Sequence, residues 1–125
     1  MPWVRFDDQF PTHRKVEGLS DGAFRLHVTA IFWCARNLTD GWVPQNDLSM
    51  AAPRTCNRPE RLVHQLVTRG VWHEPGHDCP DCPAISDGWV IHDYLEFQPS
   101  KADVEAERAA NRERQRKWRD RQRRT

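Results

Sequence analysis

The sequence has no apolar run near the roughly 20 residues that a membrane-spanning helix needs. The longest, around Val28–Ala35, is short and contains Thr29, so no helical span is expected. No basic stretch followed by an apolar one opens the chain, so no secretory signal is expected and the cytoplasm is the expected compartment. Cysteine is sparse, with four residues in 125: Cys34, Cys56, Cys79 and Cys82. In a reducing compartment these read as metal ligands or buried thiols before disulfides. Residues 101–125 contain neither Gly nor Pro, and Val104 and Trp118 are their only large apolar side chains. No heptad seam exists there, which argues against a coiled-coil dimer.

What is present fits one domain with an appendage. Apolar residues make up 38% of the chain and six residues are Trp, so residues 1–97 can build a compact core. The net charge of +1 hides an asymmetry. Residues 1–100 carry nine Lys and Arg against thirteen Asp and Glu, a balance of −4, whereas residues 101–125 carry ten against five, a balance of +5. A mildly acidic body with a basic tail points toward nucleic acid.

Along the chain, Trp3, Val4, Phe6 and Phe10 predict an extended arm packed on the domain, followed by a helical turn near His13–Glu17. Ser20 is an N-cap, and Phe24, Val28, Ile31, Ala35 and Leu38 recur at helical spacing, which predicts a helix to about Asn37. On it, Cys34 reads as a buried core residue and His27 as lying on the outer side; His13 and His64 read as surface residues and Cys56 as a loop thiol. Trp42-Val43-Pro44 reads as a very short strand that Pro44 confines to an edge or an end. A short helix is expected over Gln45–Ala51. A third helix, capped by Asn57 with Pro59 in its first turn, carries Leu62, Val63, Leu66 and Val67 and stops at Gly70. Val71-Trp72 and Gly88–Leu95 then read as paired strands.

This order predicts a mainly α fold with a small β-hairpin (α+β): a winged helix-turn-helix over residues 1–98, with a C-terminal basic helical extension. The expected reading helix and its approach carry Arg54, Thr55, Asn57, Arg58 and Arg61, side-chain types that reach phosphates and purine edges. Residues 99–125 form an Arg-rich tail, helical or disordered, opened by Ser100 with Asp103 in a capping-box arrangement. On a helix, Arg112, Arg116, Arg119 and Arg123 share one face, suited to a polyphosphate.

The wing, at about residues 73–87, contains His-Glu-Pro-Gly-His-Asp-Cys-Pro-Asp-Cys from His73 to Cys82. A Cys-x-x-Cys knuckle turns two sulfurs toward one ion, and two imidazoles complete a tetrahedral set that suits zinc. The expected ligands are His73, His77, Cys79 and Cys82, with His92 on the returning strand as the alternative to His73. A loop of about 14 residues with three Pro and almost nothing to bury needs such a staple. Four ligands close the site, so catalytic zinc is disfavoured despite the nearby Glu74, Asp78 and Asp81, and no enzyme is expected. A metal-dependent nuclease stays a remote alternative.

Three segments carry a family resemblance: Trp3-Val4-Arg5-Phe6-Asp7-Asp8, Leu19-Ser20-Asp21-Gly22-Ala23-Phe24-Arg25-Leu26, and His92-Asp93-Tyr94-Leu95-Glu96-Phe97-Gln98-Pro99-Ser100. They resemble small winged-helix proteins of actinobacterial phages and prophages. These are similar in layout to the N-terminal domains of replisome-organiser and replication-initiation proteins. The Gly-His-x-Cys-x-x-Cys-Pro insertion resembles that of some members. The resemblance covers roughly residues 1–110 and implies binding of double-stranded DNA in phage replication or gene control. Replication proteins are possible further partners, and an interaction module that docks them is the alternative function.

Overall fold

The computed structural model describes residues 3–124; Met1 and Pro2 of the arm and Thr125 of the tail lie outside the described residues. The elements are α1 (Arg14–Glu17), α2 (Asp21–Asn37), β1 (Trp42–Val43), α3 (Leu48–Ala51), α4 (Pro59–Thr68), β2 (Trp72–His73), β3 (Trp89–Ile91), α5 (Tyr94–Phe97) and α6 (Lys101–Arg124). One-turn 3-10 segments, Phe10–Thr12 and Gln45–Asp47, precede α1 and α3. The fold is mainly helical with a small antiparallel sheet, as the α+β expectation has it.

Local signals set the ends of the long helices. Ser20 Oγ accepts from the Ala23 N–H at 3.2 Å, while the Ser20 N–H and hydroxyl both donate to Gln65 Oε1 at 2.9 Å. The N-cap of α2 is thereby clamped to α4. α4 ends in a Schellman motif: Val71 N–H donates to Leu66 O at 2.9 Å and Gly70 N–H to Val67 O at 3.0 Å, with Gly70 at φ +73°. The N-cap of α4 is Arg58 rather than Asn57, and no side chain caps it; Pro59, in the first turn, brings no orphan N–H of its own. At α6, Asp103 N–H donates to Ser100 Oγ and Ser100 N–H to Asp103 Oδ2, the reciprocal pair expected there. Lys101 N–H donates to Asp40 Oδ1 at 2.6 Å, so the start of α6 is tied to the turn after α2.

The sheet has the order β1-β3-β2. β3 is central, pairing Trp42 with Val90 on one edge and Trp72 with Ile91 on the other. The expected hairpin is thus extended to three strands by β1. The returning strand is also shorter than expected: it stops at Ile91, because the chain turns at His92-Asp93 and Tyr94–Phe97 close a helical turn, Gln98 N–H donating to Tyr94 O at 2.8 Å. Gly88 admits no other residue. At φ +69°, a Cβ there would lie 2.1 Å from Val43 O, so β1 and the end of the β2–β3 loop approach backbone to backbone. Gly88→Ala is expected to destabilise the fold by about 2 kcal/mol or more, read from urea denaturation.

α2 is the core's axis. Its buried face is Ala23, Leu26, His27, Ala30, Ile31, Trp33 and Cys34, wider than the predicted stripe, of which only Ile31 is buried. The reason is that α2 packs α3 and α4 on one side and the arm on the other, where Phe10 meets Phe24 at 5.8 Å and Phe6 meets Phe32 at 5.9 Å. Val4 and Phe10 pack on the core as expected, whereas Trp3 is 82% exposed. The arm is held by Gln98, which accepts from the Arg5 N–H at 2.9 Å and donates to Arg5 O.

His27 departs most from expectation. It is 5% exposed, and its Nδ1 accepts from the indole N–H of the fully buried Trp72 at 3.0 Å. Burial lowers its pKa from the ordinary value to about 4. The unfolded chain therefore takes up a proton between about pH 6.5 and 4 that the folded chain refuses, and stability falls by about 3 kcal/mol as pH drops through that window. Imidazole 15N shifts are expected to show His27 neutral down to about pH 4; protonation near 6.5 would contradict this burial.

Candidate metal centre and basic surfaces

β2 ends on His73, the loop between β2 and β3 supplies Cys79 and Cys82, and His92 follows β3 directly. Antiparallel pairing, continued by the His92 N–H to Val71 O bond at 2.9 Å, brings these four together. One donor atom from each lies within 4.8 Å of every other, so the group could hold a metal ion. His92 Nδ1 lies 3.4 Å from Cys82 Sγ, 3.6 Å from Cys79 Sγ and 2.9 Å from His73 Nε2. With metal–sulfur bonds near 2.3 Å and metal–nitrogen bonds near 2.0–2.1 Å, a tetrahedron has sulfur–nitrogen edges of about 3.6 Å and a nitrogen–nitrogen edge of about 3.3 Å. The sulfur–nitrogen distances match; the two imidazoles stand slightly closer than the tetrahedral edge.

His92 thus stands in the place expected for His77, and beside His73 rather than instead of it. His77 is not in the cluster because both its ring nitrogens serve the loop: Nδ1 accepts from the Cys79 N–H at 3.1 Å and Nε2 lies 2.8 Å from Pro83 O. Its ring stacks on His73 at 4.9 Å. His77 therefore clasps the knuckle and positions Cys79.

Asp93 was not anticipated. Its Oδ1 lies 3.1 Å from His92 Nε2, which places the proton there and leaves the Nδ1 lone pair directed at the cluster, as carboxylates behind metal-binding imidazoles do. Its position next to His92 is the one signal that could have marked it.

The electrostatics are those of a donor set without a counter-charge. Burial first, then the neighbouring Cys79 and the carboxylates Asp93 and Asp81, push the Cys82 thiol up to about 12. A divalent cation reverses that balance and deprotonates coordinating thiols outright. His73 is shifted below its ordinary value by burial, then by His92, His77 and Lys15, which favours the neutral imidazole a ligand must be. No side chain of residues 74–87 is buried, so the loop has no core of its own.

The predicted nucleic-acid residues lie elsewhere. Arg54, Thr55, Asn57, Arg58 and Arg61 are all exposed on and before α4, and the three Arg make no ion pair among the described residues. On α6, Arg112, Arg116, Arg119 and Arg123 are exposed, but Arg116 is engaged by Glu113 at 2.5 Å and Asp120 at 3.7 Å.

Cys79→Ser, Cys82→Ser and His92→Ala are each expected to abolish tight binding of about one metal equivalent, measured by elemental analysis after dialysis. His77→Ala is expected to keep the metal, loosely held. Retention by His92→Ala with loss in His77→Ala would reassign the ligand set. In comparisons with known proteins, no family model, no curated sequence and no solved structure matches the chain.

Proposed function

We propose that the chain is a zinc-stapled winged-helix module that binds double-stranded DNA through α4, with α6 adding sequence-tolerant affinity. The observation that carries this reading is the two-faced α4. It buries Pro59, Val63 and Leu66 and leaves Arg61 exposed; Arg54 and Arg58, just before it, are exposed too, and all three are free of ion pairs among the described residues. A cation with no internal partner at the start of a helix is available to a phosphate or a guanine edge. The element order α2-β1-α3-α4-β2-β3, with β3 central, supports the winged-helix assignment.

Zinc is favoured by the donor chemistry. Two thiolates and two neutral imidazoles cancel the ion's charge, and this set suits tetrahedral Zn rather than hard cations. With all four positions taken by protein, the ion's role is structural. A setting in phage replication or transcription, with replication proteins as further partners, rests on the resemblance of the three quoted segments.

Fluorescence anisotropy with a labelled duplex tests the proposal. Affinity is expected to fall steeply between 50 and 200 mM salt. Arg58→Ala/Arg61→Ala is expected to weaken binding by at least about tenfold, since each good base contact contributes about 1–3 kcal/mol. Unchanged affinity in a folded double variant would remove α4 from the interface. Salt-insensitive capture of a protein partner without duplex binding would favour the interaction-module reading.

A further inference from the structure

A cleft of about 200 Å³ lies beneath the N-terminal arm. Its walls are mainly apolar, with Phe6 and Phe10 from the arm, Ile31 from α2, Val71 and Ile91 at the sheet, and Phe97 from α5. The roof is pre-built: both backbone polar groups of Arg5 are bonded to the buried Gln98, and Phe10 stacks on the His27 ring at 5.9 Å and 23°. His27 also lines this cleft.

His27 puts a polar group where a solely structural pocket would have none. Trp72 can only donate, so His27 Nδ1 must accept. Burial keeps the ring neutral, so its one proton sits on Nε2. That N–H has no protein acceptor among the described residues and, although His27 is only 5% exposed as a residue, it is not sealed from solvent. Water reaches it only through a largely apolar cleft, so an acceptor on an entering molecule would take the place of that water.

We infer that the cleft is a binding site for a small uncharged molecule, one ring in size, that presents a single hydrogen-bond acceptor such as a carbonyl oxygen to His27 Nε2. The size follows from volume: an apolar cavity of about 150 Å³ holds benzene, so about 200 Å³ holds a ring with a short substituent. The neutrality follows from the rim, where Asp7, Asp93 and Glu96 are mixed with Arg5 and Lys15 and favour neither sign. The site is independent of the proposed DNA interface and of the identity of the metal.

Acetophenone and cumene test it, because they share shape and volume and only acetophenone carries an acceptor. Each is titrated into the metal-loaded full chain and followed by 1H–15N NMR. Acetophenone is expected to bind saturably and severalfold tighter than cumene. It is also expected to shift the His27 Nε2–H signal, which cumene leaves in place. His27→Phe keeps the apolar volume, and there the preference for acetophenone is expected to vanish. Absence of saturable shifts with acetophenone, equal affinity for the two probes, or a preference that survives in a folded His27→Phe chain would each overturn the proposal. Should His27→Phe not fold, the two probes on the natural chain still decide it.

Discussion

Trp72 is fully buried, and its indole N–H has one acceptor, His27 Nδ1. Leaving that donor unpaired in the core would cost about 1–3 kcal/mol, so the bond fixes where β2 crosses α2. Much follows from this placement. Side chains alternate along a strand, so with Trp72 turned inward, His73 turns to the other face, where the metal cluster lies. The same bond assigns the His27 proton to Nε2, on a ring that lines the cleft. One hydrogen bond thereby orders the core, a metal donor and a cleft wall.

The loop between β2 and β3 answers a different problem. A loop with no buried side chain must be held by something other than apolar contact. It is held at three places: the donor cluster joins both strands to the knuckle, His77 clasps the knuckle internally, and the far end is anchored to β1. There the Trp42 indole N–H donates to Asp87 O at 3.0 Å and Gly88 lies against Val43 O. A bound ion would close the hairpin by cross-linking segments up to 19 residues apart, from His73 to His92.

Features decided within a few residues were legible in the sequence. The Ser20 cap, the Gly70 stop and the Ser100–Asp103 box depend on local chemistry, and all occur. The metal cluster was legible in kind but not in membership. His77 lies close to Cys79 in sequence and so resembles a ligand, while His92 reaches the cluster only through the register of two strands. His27 was misplaced for a related reason: a polar residue on an amphipathic helix belongs outside unless a buried partner exists, and that partner is 45 residues away. The end of β3 was unreadable because Tyr94-Leu95-Glu96-Phe97 suits a strand as well as a turn of helix.

Charge placement constrains how the proposed complex with DNA is built. Residues 71–100, which hold the wing, the metal ligands and α5, contain no Lys or Arg and six Asp or Glu. Glu74, Asp78, Asp81 and Asp87 are all exposed. A zinc ion offsets only its own two thiolates, so the wing stays acidic when loaded and is repelled by phosphates. In the proposed complex the wing therefore cannot act as a second DNA-contacting element. The contact must come from the Arg side chains before and on α4 and from α6, whose cations bring the basic excess that the body lacks. The metal then acts at one remove: it holds a hairpin whose packing sets the orientation of α4, and the duplex meets the opposite charge elsewhere on the chain.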